Sequence, residues 1–120
     1  MSHSTIYHIT TRAAWEQARA AGVYTASSLT QEGFIHASTR EQVVGTANLF
    51  FKGADGLVLL AIATARLSAE LRYEWAIDVN QSFPHIYGPL NLDAVVEVVD
   101  FPPDPLTGQF HLPQTLTRQD

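Results

Sequence analysis

Apolar and polar positions alternate with a period of two through Ile6-Tyr7-His8-Ile9-Thr10. This predicts a first strand with Ile6, His8 and Thr10 on one face and Tyr7 and Ile9 on the other. Thr10 or Thr11 is placed to cap a following helix that runs to about Ala21. Trp15 and Ala18 form its apolar side, and Gly22 its C-terminal stop. Residues 24–32 read as polar and turn-like. Gly33 then introduces a second short strand, Phe34-Ile35-His36-Ala37-Ser38, with Phe34, His36 and Ser38 on a common face. Thr39-Arg40-Glu41-Gln42 has the form of a capping box and predicts the start of a second helix. Val43, Ala47 and Phe50 recur there at helical spacing, Val44 and Phe51 widen the stripe, and Lys52 and Gly53 suit its end.

The second half of the chain changes period. Asp55-Gly56 marks a turn, and residues 57–64 are apolar on both faces, as a covered central strand requires. Residues 71–77 alternate, with Leu71, Tyr73 and Trp75 against Arg72 and Glu74. An Arg72–Glu74 ion pair on the polar face and structural roles for Trp15 and Trp75 are the simplest expectations. Phe83-Pro84-His85-Ile86-Tyr87-Gly88-Pro89-Leu90 reads as a short extended element pinned by two prolines and a glycine, and residues 95–101 as a last strand. Helices early and strands late predict an α+β fold, with two N-terminal helices packed on a mostly antiparallel sheet. Residues 1–101 form the expected domain. Residues 102–120, which hold four of the six prolines, are expected to be an extended arm or tail.

Composition narrows the classes of function. The 120 residues suit one domain, 46% of them are hydrophobic, and the net charge is −5. The seven basic residues are scattered from Arg12 to Arg118 without a cluster, which argues against nucleic acid as the main partner. With no cysteine, disulfides, thiolate nucleophiles and cysteine-ligated zinc are excluded. The N-terminus lacks a signal-peptide pattern, and the longest apolar run, residues 57–63, is far short of the roughly 20 needed to span a membrane. The expectation is a cytoplasmic protein without membrane contact.

Five histidines are the main chemical resource. His3 and His111 lie in terminal segments and are discounted. His8, His36 and His85 fall in strand-like segments beside polar or turn residues, and a strand-face imidazole needs partners or a task. Strand ends lining one cleft would bring the three together. His36 precedes Ser38, Thr39 and a helix N-terminus, a corner that suits an anion, although an internal cap by Thr39 and Gln42 accounts for the same motif. Glu74 is the candidate acid, and Tyr87 a candidate for hydrogen bonding to or stacking on a ligand. Three histidines could also hold a catalytic metal. No Gly-x-Gly-x-x-Gly, Walker loop, Gly-x-Ser-x-Gly or His-Glu-x-x-His occurs.

The strings Gly33-Phe34-Ile35-His36-Ala37-Ser38-Thr39 and Phe83-Pro84-His85-Ile86-Tyr87-Gly88-Pro89-Leu90, with Ile6-Tyr7-His8-Ile9 and Glu74, resemble domain-of-unknown-function family 952 over about residues 6–101. The resemblance implies a split sheet of the ADP-ribosyltransferase-like kind, near the RNA 2′-phosphotransferases, with NAD in a cleft between two small sheets. It implies His8 against the nicotinamide ribose, and His36 and Ser38 positioning nicotinamide and diphosphate, with Thr39 beside them. Tyr87 would pack on the ring, and His85 or Glu74 would orient or activate an unknown acceptor. The phosphotransferases surround RNA phosphate with several arginines, whereas only Arg40 and Arg72 lie near the motifs here. The alternatives are a non-enzymatic module for a nucleotide or small anion, and a metal-dependent hydrolase using His8, His36 and His85.

Overall fold

The computed structural model describes residues 4–116, so His3 and Arg118 lie outside the described residues. The elements run β1 (Thr5–Thr11), α1 (Arg12–Ala21), β2 (Val23–Tyr24), α2 (Ser27–Glu32), β3 (Ile35–His36), α3 (Arg40–Phe50) and β4 (Leu57–Ala63). They continue with β5 (Glu70–Ala76), β6 (Gln81–Tyr87), β7 (Leu90–Asn91) and β8 (Val95–Asp100). The sheets are ordered β1-β4-β8, β2-β7 and β3-β6-β5, and all their pairings are antiparallel.

The α+β class holds, but three helices precede β4 rather than two. Residues 27–32, expected as a turn, form α2, which Gly33 closes at φ +91°. The short segment has no apolar stripe to announce it, and its helical turn is set by neighbouring β3 and the left-handed glycine. Thr11 caps α1 by accepting from the Ala14 N–H at 3.0 Å, and Gly22 ends it. At α3 the capping box forms: the Gln42 side chain accepts from the Thr39 N–H at 3.0 Å. Phe50, expected on the buried stripe with Val43 and Ala47, is instead 72% exposed. The helix ends there, and Phe51 turns to the core in its place.

β4 is the centre of the first sheet, and its alternation divides the interior. Val58, Leu60 and Ile62 join Ile6, Trp15, Tyr24, Ile35 and Ile86 on one side of that sheet. Leu57, Leu59 and Ala61 join Tyr7, Ile9, Val43 and Ala47 on the other. Each fully buried aliphatic side chain stabilises the fold by about 2 kcal/mol. The segment after β8 closes the second cluster: Phe110 is buried against Phe101, and its N–H donates to Asn48 Oδ1 at 2.7 Å. Residues 102–116 are therefore an arm folded back on α3. Trp15 is buried as expected, but Trp75 is 61% exposed, because β5 is the outer strand of its sheet and projects past the core that covers Leu71. Among the described residues, no helix is long and apolar enough to cross a membrane.

Candidate functional site

The two three-stranded sheets meet at one bridge, where Tyr7 and Ser38 exchange backbone hydrogen bonds at 2.8 Å in each direction. Beside this bridge opens a cleft of about 920 Å³, lined from β1, the start of α2, β3, α3 and β6. His8, His36, Ser38 and His85 all border it. Thr39 does not: it is buried at the start of α3 within the capping box. The helix corner after His36 is thus capped internally. Glu74 and Tyr87 stand behind His85 rather than on the wall.

His8 borders the cleft with both ring nitrogens already committed. Nδ1 lies 2.5 Å from the His36 carbonyl oxygen, which can only accept, so Nδ1 carries the proton. Nε2 lies 2.7 Å from the Tyr24 hydroxyl, which is also 3.0 Å from Thr10 Oγ1. With neutral His8, Tyr24 donates to Nε2 and the Thr10 hydroxyl completes the chain. Burial lowers the His8 pKa to about 4, the hydrogen bond to the His36 carbonyl works against that shift, and charge on His36 adds to it. Burial likewise raises the Tyr24 pKa. His8 therefore ties β1 to β3 and to the end of β2. Tyr24→Phe is expected to leave Nε2 without a donor and to cost about 2 kcal/mol, read as a lower denaturant midpoint at unchanged slope.

His85 is arranged differently. Nδ1 donates to Glu74 Oε1 at 2.7 Å, and the Tyr87 hydroxyl donates to the same oxygen at 2.5 Å. These two bonds hold the Glu74 carboxyl below its usual range, and the carboxylate pushes the Tyr87 hydroxyl up. Phe34 stacks on His85 with ring centres 4.0 Å apart and planes 16° from parallel, and the His36 ring meets His85 edge-on at 5.4 Å. Among the described residues His85 Nε2 has no hydrogen-bond partner, and it is not a buried unsatisfied atom, so it opens to solvent. The expected Arg72–Glu74 pair does not form. Arg72 binds Glu70 at 2.9 Å and lies over the Tyr87 ring at 4.4 Å, because β5 pairs with β6 in a register that turns Glu74 toward His85 and Tyr87.

The three histidines do not form a metal set. Both nitrogens of His8 are engaged, and among the described residues no group of three or more His, Asp or Glu side chains could hold a metal ion. Neither Tyr24 nor Phe34 stands out in the sequence as a functional residue, although Phe34 shares a strand face with His36. The signal for Tyr24 is indirect: a strand histidine needs two partners, and a tyrosine just after a helix-stopping glycine could supply one. Gly88, in the second motif string, has a direct explanation, since a Cβ there would meet the Ala69 Cβ at 2.8 Å.

Fold and cleft define a small α+β protein with a histidine-bordered cleft at the junction of two antiparallel sheets. Residues 9–98 match the family described as Protein of unknown function (DUF952), and the chain belongs to that family. It is similar to protein CC0527 from Caulobacter crescentus, whose crystal structure superposes with a TM-score of 0.85 at 35% identity, covering 95% of this chain and 99% of that one. The solution structure of CC0527 gives a TM-score of 0.74 at 35% identity, over 87% and 90% of the two chains. No protein of curated function matches.

Proposed function

We propose that the cleft is the active site of a transferase-type enzyme in which His85, oriented by Glu74, takes a proton from a bound small molecule. One observation carries this: His85, which borders the cleft, has Nδ1 fixed by a carboxylate while Nε2 has no hydrogen-bond partner among the described residues. A nucleophile's base needs that division of roles, with one nitrogen oriented and the other free to accept. Glu74 acts through His85, and Tyr87 steadies Glu74. His36 offers its ring to a flat ligand, and Phe34, which is not on the cleft wall, supports His85 by stacking on it.

In its specific form the reading is ADP-ribosyltransferase-like, with NAD supplying an ADP-ribosyl group to an acceptor whose proton passes to His85 Nε2. The volume falls within the range of about 300–1,000 Å³ usual for small-molecule and cofactor sites. Two small sheets flank the cleft, and histidines of β1, β3 and β6 border it, which supports the analogy. His8 serves here as the brace that positions the His36 strand.

A second reading rests on charge. Among the described residues the lining contains no Lys or Arg, so a diphosphate would have only hydroxyls, imidazoles, side-chain amides and backbone N–H groups to hold it. An uncharged, ring-bearing ligand of nucleoside size fits that lining better. Thermal-shift titration with NAD, ADP-ribose and nicotinamide riboside separates the readings. A ligand at 100-fold over its Kd adds about 2.7 kcal/mol, several degrees in a domain of this size. A shift with NAD accompanied by nicotinamide release supports the first reading. A shift without release makes the cleft a binding module, a shift with the riboside alone supports the second reading, and no shift with any of the three defeats both.

A further inference from the structure

β3 and β6 pair so that His36 stands directly opposite His85. Opposed residues of antiparallel strands project from one face, and both histidines border the cleft. Phe34 contacts the two rings together: it stacks on His85 at 4.0 Å and meets His36 edge-on at 4.9 Å. The His36 and His85 ring centres are 5.4 Å apart. Each ring also has its own carboxylate. Glu74 holds His85 through Nδ1, whereas Glu32, the last residue of α2, lies 3.3 Å from Nε2 of His36. An ionised carboxylate can only accept, so each of those nitrogens keeps its proton. The proton that can come and go sits on the other nitrogen, Nε2 of His85 and Nδ1 of His36. Among the described residues His36 Nδ1 has no hydrogen-bond partner.

We propose that His36 is the general acid that works with His85, and that the substrate is an uncharged N-glycoside of nucleoside size. This rests on the reading of the cleft as an active site with His85 as base, and it takes the uncharged class of ligand rather than NAD. The reason lies in the leaving group. Nicotinamide leaves NAD as a neutral molecule, because its pyridinium nitrogen takes up the electrons of the broken bond, and an acid has no task there. The base of an uncharged nucleoside leaves as an anion unless a proton reaches it, so its departure needs a donor beside the proton acceptor. The absence of Lys and Arg from the described lining suits the same class. In the step, a hydroxyl acceptor, water in the simplest case, bonds to C1′ through its oxygen and gives its proton to His85 Nε2. The C1′–N bond breaks, its electron pair goes to the departing base, and the base takes the proton from His36 Nδ1. One proton arrives on His85 as one leaves His36, and exchange with solvent resets the pair. Glu32 is a positioning residue: it fixes Nε2 of His36 and so leaves Nδ1 to face the base.

The test compares two leaving groups. Base release from inosine, adenosine and uridine is measured beside nitrophenolate release from p-nitrophenyl riboside, whose leaving group is stable as an anion and needs little help from an acid. The wild type is expected to cleave at least one nucleoside and the nitrophenyl riboside. His36→Gln is expected to lose about 100-fold or more in kcat on the nucleoside but less than about 10-fold on the nitrophenyl riboside, since acid–base groups contribute 10²–10⁴-fold where a proton must move. Glu32→Gln is expected to show the same split at smaller size. His85→Gln is expected to lose heavily on both, because the acceptor must still give up its proton. His8 bonds to the His36 carbonyl rather than to its ring, so these substitutions leave that brace in place, and circular dichroism checks that each variant is folded. Equal losses for His36→Gln on the two kinds of substrate overturn the acid assignment. A wild-type protein that releases nothing from the nucleosides or the nitrophenyl riboside overturns the proposal. Nicotinamide release from NAD by the same preparation would then leave the active-site reading of the cleft standing, and its absence, with no thermal shift, would defeat that reading as well.

Discussion

Lowering the pH from 6.5 to about 4 is expected to remove about 3 kcal/mol of folding stability through His8 alone. The folded pKa of this histidine is depressed to about 4 from an ordinary 6.5, chiefly by burial. Between those values the unfolded chain holds a proton that the folded chain refuses, and each pH unit so traversed costs about 1.4 kcal/mol. The His8 contribution is complete above pH 6.5, falls steadily on acidification, and levels off below about pH 4. Glu70 and Glu74, both held below the usual carboxyl range by their hydrogen bonds, lose their contribution only as the pH drops below their ordinary 4.5. Urea titrations at half-unit steps should therefore show a slope near one proton between pH 6 and 4.5. NMR titration of the His8 Hε1 signal gives the same quantity directly and requires no variant. A His8 titrating near 6.5 would show that the brace between β1 and β3 tolerates charge, and the predicted slope would vanish. His8→Gln, if it folds, should be flat through this window.

Glu74→Gln is expected to lower turnover about 100-fold or more while leaving ligand affinity within a few-fold. General-base assistance typically contributes 10²–10⁴-fold. Here it depends on a carboxylate that both orients the His85 ring and stabilises it when a proton arrives at Nε2. Glutamine keeps one oxygen for the Tyr87 hydroxyl but has no charge, and its amide can turn a donor toward Nδ1, which favours the wrong tautomer. The loss should appear in kcat rather than KM, with nicotinamide release from NAD as the first assay. A substrate-independent readout is carbethoxylation followed by peptide mass spectrometry. In the wild type His85 and His36 should react and His8 should not, since both its nitrogens are bonded. In Glu74→Gln the His85 rate should fall while His36 is unchanged. A His85 rate that does not respond to the substitution would leave Glu74 a surface group and remove the acid–base reading. Stability is a poor reporter here, because Glu74 is half-exposed and its bonds are screened.

Local sequence signals determined most of the elements of this protein. The Thr11 cap and Gly22 stop of α1, the capping box at Thr39 and the two-sided apolar run of β4 are each short-range events. In each, the residues that specify the element lie within a few positions of one another. The same locality made the capping box legible as an internal cap. It also flagged His8, His36 and His85, because a strand-face imidazole stands out wherever it occurs. What His8 and His85 do was decided by partners 11 to 28 residues away: Glu74 for His85, Tyr24 and the His36 carbonyl for His8. Strand alternation says which residues share a face, but a one-residue change of register reverses every face. The β5–β6 register therefore had to be seen before Glu74 could be separated from Arg72. Exposure followed the same rule. Trp75 belongs by its period to an apolar face, yet only the position of β5 at the margin of its sheet left that face uncovered.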